Sequence, residues 1–314
     1  MRRAAKLAFG ALLLILLLAA GAGQLLGGGA LHPNRLKLTP ALVARADQAF
    51  ERVGAAREEF DVRAPDGVLL RGWKVRPREP NGDWVLLFHG VSDNRVGVLG
   101  HAEFLLRAGY GVVMMDARAH GASEGAMATY GWKERQDTRA IVAAFYASEK
   151  AHHLFALGES MGAAIALQSA AAEPRIDGVV AESSFSDLRE VSYDYAGLRL
   201  SPWLGKTIFR PAAFIGLSNL EQDGGFKAQD VSPEKTVAAR PFPILLICGT
   251  RDRNIPCSHS KHILQAATGP KQLWVVPGAG HAAALGKAPA EFEQRVLAFY
   301  SAIHAAKKEA PAAP

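Results

Sequence analysis

The fold is decided by the sequence GESMG at residues 158–162. It follows a short strand-like run and precedes an Ala- and Leu-rich run, 163–172, that is typical of a helix. A serine in a Gly-x-Ser-x-Gly sequence between a strand and a helix is the pattern of a nucleophile elbow. The turn is so tight that only small residues fit beside Ser160, and the flanking positions are Gly158 and Gly162. The pattern predicts that the serine hydroxyl stands clear of a sheet.

Two other side chains follow predicted strands and suit the partners that a serine nucleophile needs. A serine hydroxyl is a poor nucleophile until a base takes its proton, and the base needs a third group to orient it. Asp252 follows the apolar run 243–248, and His281 lies in a Gly-rich loop after the run 272–276. The chain order Ser160, Asp252, His281 is that of a catalytic triad built on a parallel sheet. We therefore predict that these three residues form a triad.

Each of these residues also has an ordinary structural interpretation. Serine and aspartate are common in turns, and His281 could belong to a surface loop. Glu182, just after the strand predicted at 178–181, is the chief rival for the acid role. Three candidates in the expected order, each after its own strand, favour the triad. The remaining histidines considered have a weaker context: His32, His101, His152, His153 and His262.

Two backbone N–H groups are expected to stabilise the oxyanion that forms during acyl transfer. One belongs to Met161, directly after the nucleophile, and the other comes from the loop after the third strand of the sheet. The run 84–88 predicts that strand, which ends in His89 and Gly90. Gly90 allows a sharp turn that leaves the Val91 N–H available, while His89 is predicted to brace the loop.

These motifs resemble those of the α/β-hydrolase superfamily, and most of all its bacterial serine esterase, lysophospholipase-like and aminopeptidase-like branch. The matching pieces are His89-Gly90 with Asn94-Arg95, the loop 116–123, the elbow 158–162, the run 249–252, and Gly280-His281. The resemblance spans about residues 58–300. It implies an α/β-hydrolase fold, with a mostly parallel eight-stranded sheet and helices on both faces. In the family the loop 116–123 is mainly scaffolding. Two departures are Ala119, where many relatives have glycine, and the lack of a His-Gly-Gly-Gly sequence.

The alternation of predicted strands and helices, which itself favours a parallel sheet, breaks between about residues 186 and 240. Some fifty residues exceed an ordinary connection, so the stretch should have its own structure. Relatives insert a helical lid at this point, and an apolar lid would bind acyl chains and exclude water. The other interpretation is that its aromatic side chains only form a small core. They are Tyr193, Tyr195, Trp203, Phe209, Phe214 and Phe226.

The N-terminal segment 7–26 is almost wholly apolar and follows three cationic residues. About twenty apolar residues can span a bilayer, so one interpretation is an uncleaved anchor in the bacterial inner membrane with the enzyme outside the cytoplasm. The other is a signal peptide cleaved near 20–22, which would leave a periplasmic or secreted domain. The apolar run continues past that site and favours the anchor. Arg35, Lys37 and Arg45 follow the apolar run and weaken the charge asymmetry across it, so a cytoplasmic catalytic domain is a further alternative.

The chain of 314 residues, with 49% apolar content, can bury one large core. We divide it into an anchor or signal peptide at 1–28, a connector and leading helix at 29–57, the hydrolase domain at 58–306 and a disordered tail at 307–314. The net charge is +6, and the first six residues supply half of it. No basic cluster is interleaved with aromatic residues, so nucleic acid is not an expected partner.

The two cysteines, Cys248 and Cys257, do not make a disulfide framework. Cys248 is expected to be a small buried residue at a strand end. A disulfide between Cys248 and Cys257 is an alternative in an oxidising compartment, although nothing in their spacing argues for it.

The sequence as a whole predicts a serine hydrolase that cleaves carboxylic esters through an acyl-enzyme intermediate. The expected substrate is a small-molecule or lipid-like acyl compound, and the chemistry needs no metal or organic cofactor. A peptidase, amidase or thioesterase with the same triad is an alternative, and a binding protein without turnover is a more distant one.

Overall fold

An eight-stranded sheet forms the centre of the computed structural model, which describes residue 21, residues 29–197 and residues 202–309. Its spatial order is β1-β4-β6-β5-β7-β8-β9-β10, and β2 and β3 form a separate pair. In chain order the strands are β1 (Ala56–Glu59), β2 (Val62–Arg63), β3 (Leu69–Leu70), β4 (Gly72–Arg76), β5 (Trp84–Phe88), β6 (Gly111–Met115), β7 (Leu154–Glu159), β8 (Ile176–Glu182), β9 (Ile244–Gly249) and β10 (Lys271–Val276). Strand β4 pairs antiparallel with β1 and β6, whereas the pairs from β6 to β10 are parallel. The prediction of a mostly parallel eight-stranded sheet is confirmed.

Helices cover both faces of this sheet, as predicted. In chain order they are α1 (Pro40–Arg52), α2 (Leu99–Arg107), α3 (Glu134–Ser148), α4 (Met161–Ala172), α5 (Leu188–Ala196), α6 (Pro202–Lys206), α7 (Arg210–Gly224), α8 (Pro233–Ala239), α9 (Cys257–Ala266), α10 (Ala284–Lys287) and α11 (Pro289–Glu309). The leading helix α1 lies within the stretch 29–57, where the sequence analysis expects a connector and a helix. The Thr39 hydroxyl accepts a hydrogen bond from the Leu42 N–H at 3.3 Å, and Pro40 occupies the first turn.

Successive side chains of a strand point to opposite faces, so a sheet covered on both sides needs apolar residues at every position. In β5, Val85 and Leu87 join the core cluster that contains α1, α2 and α11, while Leu86 joins the cluster under α3 and α4. In the first cluster Phe155 of β7 stacks on Tyr300 of α11 with ring centroids 4.3 Å apart. Each such buried aromatic contributes about 1.5–3 kcal/mol of hydrophobic stabilisation.

The insertion after β8 is helical, and its described part contains α5, α6 and α7 with a 3-10 turn at Ala228–Asp230. These elements surround a third core cluster, to which Phe185, Leu217 and Phe226 contribute. Helix α8 belongs instead to the main domain, because Val237 packs in the cluster under α3 and α4. The lid insertion was predicted at about 186–240. In the structure it ends earlier, and the main domain resumes near residue 232.

The closing helix α11 extends to Glu309 and so includes the first three residues of the tail that was predicted to be disordered. The rest of that tail, 310–314, lies outside the described residues. The predicted anchor or signal peptide at 1–28 also lies outside them, apart from residue 21. Within the part of the chain that the structure describes, none of the helices is long and apolar enough to cross a membrane.

Candidate active site

Ser160 lies in the turn between β7 and α4, with φ 55° and ψ −120°. A residue with a side chain rarely adopts this conformation, and it persists only where the surrounding structure enforces it. A Cβ atom at Gly158 would collide with the Gly162 backbone, and one at Gly162 would collide with the Phe88 carbonyl group. The two glycines therefore allow the close approach that holds the strained turn. The Ser160 N–H is also fixed, because it donates to the carbonyl oxygen of Glu182 at 2.9 Å.

The structure brings the three predicted triad residues together in one hydrogen-bonded chain. His281 Nε2 lies 2.8 Å from Ser160 Oγ, and His281 Nδ1 lies 2.9 Å from Asp252 Oδ2. With the imidazole proton on Nδ1, His281 donates to the carboxylate and accepts from the serine hydroxyl. The three side chains come from positions at the carboxyl ends of β7, β9 and β10, which meet at one edge of the sheet.

The Asp252 carboxylate is buried and held by several donors. Its Oδ1 accepts hydrogen bonds from the N–H groups of Asn254 and Ile255, each at 2.9 Å. Burial alone would raise the pKa of Asp252, but the hydrogen bond and charge of His281, with donors from Ile255 and Ser183, hold it below its usual range. The carboxyl group therefore stays ionised at neutral pH and can stabilise a protonated imidazole.

Glu182, the rival for the acid role, has a different partner. Its Oε1 accepts from the N–H of Ala284 at 2.7 Å, three residues beyond His281. Burial raises the pKa of Glu182 to about 7. Burial, together with the charges of Glu182 and Asp93, also raises the pKa of Glu159 to about 8. The neutral form of Glu159 therefore predominates below that pH.

The two residues predicted for the oxyanion site line the same cavity as Ser160. Met161 begins helix α4, where an N–H has no intrahelical acceptor. Val91 follows the Gly90 turn at the end of β5, and both residues border the cavity. His89 braces this loop as predicted, because its Nδ1 lies 2.8 Å from the Gly90 carbonyl oxygen and its Nε2 accepts from the Ala117 N–H at 3.0 Å. Burial lowers the pKa of His89, which favours its neutral form.

The loop 116–123 has the scaffolding contacts that the resemblance implies. Asp116 accepts from the backbone N–H of Arg95 at 2.7 Å and from its guanidinium at 2.8 Å. It also accepts from the Ala122 N–H at 2.7 Å. Arg118 pairs with Asp137 in the interior. Ala119, the departure from the family pattern, has φ 61°, so it takes the left-handed conformation that the usual glycine adopts without strain.

A cavity of about 430 Å³ opens beside Ser160. Its wall is mostly apolar and includes residues of the lid helices α5 and α7, among them Leu188, Val191, Tyr195, Leu217 and Leu220. Of the lid aromatic residues, some line the cavity, as expected of a lid that binds substrate, and others only form a small core. Tyr195 lines the cavity and Phe226 is buried in the lid core, whereas Trp203 and Phe214 are largely exposed.

The connector 29–34 forms another part of the cavity wall, which the sequence interpretation missed. Leu31 is fully buried, and its carbonyl oxygen accepts from the Ala128 N–H at 2.9 Å. The Tyr130 hydroxyl donates to the Ala30 carbonyl oxygen at 2.7 Å. The connector is therefore part of the domain rather than a detached tether. The one sequence signal for this packing was Leu31, a single leucine in a Gly- and Pro-rich stretch.

A disulfide joins Cys248 to Cys257, a pairing for which the sequence offered no positive reason. Cys248 is fully buried near the end of β9, as predicted, and Cys257 begins α9. The bridge closes the loop that carries Asp252. It therefore ties the acid of the hydrogen-bonded chain to both a strand and a helix.

Comparison with known sequences gives relatives over most of the chain. The family model described as Hydrolase_4, Serine aminopeptidase, S33, matches residues 79–230. The uncharacterized protein YqkD of Bacillus subtilis (strain 168) is 28% identical over 258 residues, which are 80% of this chain and 81% of that protein. The uncharacterized protein YfhR of Escherichia coli (strain K12) is 24% identical over 229 residues, 71% of this chain and 73% of that protein.

Solved structures share the fold. The Pyrococcus furiosus esterase Pf2001 superposes with a TM-score of 0.68 at 24% identity, covering 85% of this chain and 97% of that chain. The Pyrococcus horikoshii acylaminoacyl peptidase superposes with a TM-score of 0.59 at 16% identity, covering 79% of this chain and 41% of that chain.

Proposed function

We propose that this chain, which has the α/β-hydrolase fold and matches the Hydrolase_4 family model over residues 79–230, is a serine hydrolase that cleaves carboxylic esters through an acyl-enzyme intermediate. The observation that carries the proposal is the hydrogen bond of 2.8 Å between Ser160 Oγ and His281 Nε2 at the wall of an apolar cavity. The likeness to an esterase of the same fold supports it. The test is labelling of the purified protein with a fluorophosphonate probe, followed by mass-spectrometric mapping of the labelled residue.

In this mechanism Ser160 Oγ attacks the ester carbonyl carbon while His281 Nε2 takes the hydroxyl proton. His281 then gives that proton to the leaving alkoxide, and a water molecule activated by the same imidazole releases the acid. Asp252 keeps the imidazole in the required tautomer and stabilises its protonated form. The Val91 and Met161 N–H groups bind the oxyanion, and each contributes about 2.7–4 kcal/mol.

A peptidase is the second candidate, favoured by the serine aminopeptidase family model. An aminopeptidase must hold the positively charged amino group of its substrate, which calls for a carboxylate near the serine. The described residues that line the cavity include neither Asp nor Glu. This wall fits a neutral acyl chain better, so an ester is the proposed substrate. Parallel assays of p-nitrophenyl esters, amino-acid p-nitroanilides and acyl thioesters separate the candidates.

Leu217→Trp should shorten the acyl chain that the enzyme accepts. Leu217 is buried and lines the cavity, so an indole there would occupy acyl space. For the unmodified enzyme, kcat/KM should rise about fourfold per methylene until the cavity is full, since a buried CH₂ contributes about 0.8 kcal/mol. The variant should reach its maximum at a shorter chain, measured with p-nitrophenyl esters from acetate to dodecanoate. Phe214→Ser on the same helix is the control, because Phe214 is 62% exposed. Equal profiles for the Leu217 variant and the unmodified enzyme would contradict the acyl site.

We also propose that residues 1–28 hold the domain at the outer face of the bacterial inner membrane. The apolar run 7–26 supports a membrane segment. The disulfide supports an oxidising compartment, since such bonds rarely persist in the cytosol. The connector 29–34 follows the apolar segment directly and borders the cavity, which suits a lipid-like substrate.

The redox state of the two cysteines in intact cells should reflect this location. With the domain outside the cytoplasm, Cys248 and Cys257 should react with a maleimide reagent only after denaturation and reduction. Protease added to spheroplasts should then degrade the domain while a cytoplasmic marker survives. A chain with two free thiols and full protection from protease would place the domain in the cytoplasm.

A further inference from the structure

A cluster of histidine and aspartate side chains lies at the end of the sheet opposite the triad. Asp83 directly precedes β5, His153 directly precedes β7, and Asp177 is the second residue of β8. His304 reaches the same place from the closing helix α11. Because parallel strands all begin at this edge, residues that are far apart in the chain meet here. None of these side chains has a role in the proposed hydrolysis.

The geometry of the cluster resembles a set of metal ligands. Asp83, His153 and His304 each offer one ligand atom, and these atoms all lie within 4.8 Å of one another. His304 Nδ1 lies 3.1 Å from Asp83 Oδ2. Ligand atoms of a tetrahedral zinc site, with metal–ligand distances near 2.0–2.2 Å, are about 3.4 Å apart. Asp83 and His304 are thus already at the spacing of two zinc ligands. Bringing the ligand atom of His153 to the same spacing requires a movement on the order of 1 Å.

A second carboxylate orients one of the ligands. His153 Nδ1 lies 3.0 Å from Asp177 Oδ2, and both side chains are more than nine-tenths buried. A proton on Nδ1 that is donated to Asp177 leaves His153 Nε2 as the free ligand atom. A histidine that donates its other ring N–H to a carboxylate is the usual arrangement around bound metal ions.

An unsatisfied buried oxygen gives an independent indication of a cation site. Asp83 is 4% exposed, and its Oδ1 accepts no hydrogen bond from the described residues. A buried carboxylate oxygen without a partner carries a large desolvation cost. The His304 contact satisfies only Oδ2. A bound cation would satisfy Oδ1 and balance the two carboxylates that meet at this edge.

From these observations we propose that Asp83, His153 and His304 bind a divalent transition-metal ion, with Zn²⁺ as the expected occupant. Two imidazole nitrogens and one carboxylate oxygen are ligands that suit zinc, and a water molecule would complete the tetrahedron. Two ligands sit at strand ends in the interior, whereas His304 is on a helix with a quarter of its side chain exposed. The metal would therefore clamp α11 to the sheet, and its role is structural.

The experiment uses the full-length chain without an affinity tag, stripped with EDTA and transferred to metal-free buffer. Zn²⁺ titrated by calorimetry should bind at one ion per chain, and Co²⁺ should give the visible absorption of a tetrahedral site. His304→Ala should abolish this binding, and Asp177→Asn should weaken it about 10- to 100-fold. Zn²⁺ should raise the midpoint of thermal unfolding of the unmodified chain but not of the His304 variant.

His262→Ala is the matched control, because His262 is exposed on α9, which packs on the opposite face of the sheet from α11. It should bind Zn²⁺ as the unmodified chain does. Absence of stoichiometric binding to the unmodified chain would overturn the proposal. Equal binding by the unmodified chain and a folded His304→Ala variant would also overturn it, since the metal would then bind elsewhere on the surface. Circular dichroism of the EDTA-treated variants establishes that they are folded.

Discussion

Ser160→Ala should lower kcat for p-nitrophenyl ester hydrolysis by about a millionfold, the scale measured when a serine protease loses its nucleophile. The variant removes the only atom that could form the acyl-enzyme in the proposed mechanism, Ser160 Oγ, which lies 2.8 Å from His281 Nε2. Fluorophosphonate labelling of the chain should disappear with it. Alanine is smaller than serine, so the tight turn between β7 and α4 should persist with an unchanged circular dichroism spectrum.

Ser218→Ala is the control for that experiment. Ser218 is exposed on lid helix α7, where its hydroxyl donates to the Phe214 carbonyl oxygen at 2.9 Å. This variant should keep both its turnover and its labelling. If Ser160→Ala retained full activity, the nucleophile would be another residue, and the proposed mechanism would fail.

Asp252→Asn should lower kcat by about ten thousandfold, the scale found for the same change in a serine protease. The backbone N–H groups of Asn254 and Ile255 hold Oδ1 of residue 252 as an acceptor. The amide Oδ1 would keep that position, so the NH₂ group would face His281 Nδ1. His281 would then accept at Nδ1 and carry its proton on Nε2, where it could no longer take the proton of Ser160.

Glu182→Gln separates the two candidate acids. An amide Oδ or Oε oxygen can still accept a hydrogen bond, so glutamine should keep the bond from the Ala284 N–H. We expect kcat to stay within about tenfold of that of the unmodified enzyme, because one ordinary hydrogen bond contributes about 0.5–1.5 kcal/mol. A larger loss for Glu182→Gln than for Asp252→Asn, measured on the same ester, would assign the acid role to Glu182.

Much of the fold was readable from local signals. An apolar run of five or six residues bounded by turn residues predicts a strand buried on both faces, and β5, β6, β7 and β9 all follow that rule. The elbow glycines were also readable, because the need for small residues at a tight strand–helix turn is a local property. The motif order then led to the α/β-hydrolase fold, and with it to the edge of the sheet where the candidate triad lies.

Three features could not be read from the chain, because each depends on contacts between segments that packing brings together. The spacing of Cys248 and Cys257 carries no information about their approach, which is set by the bend between β9 and α9. The connector 29–34 becomes a cavity wall only because Tyr130 and Ala128 bind its carbonyl groups. The histidine and aspartate cluster at the opposite edge of the sheet brings Asp83 next to His304, although the two residues are far apart in the chain.

The sequence by itself thus determined the strands, the tight elbow and the order of Ser160, Asp252 and His281. Those properties follow from hydrophobic periodicity and turn chemistry, which act over a few residues. Only the tertiary structure decided that His281 turns toward both partners, that the lid and the connector enclose one cavity, and that four distant side chains converge at the opposite edge. Such proximities depend on how helices pack on the sheet, and no local pattern encodes them.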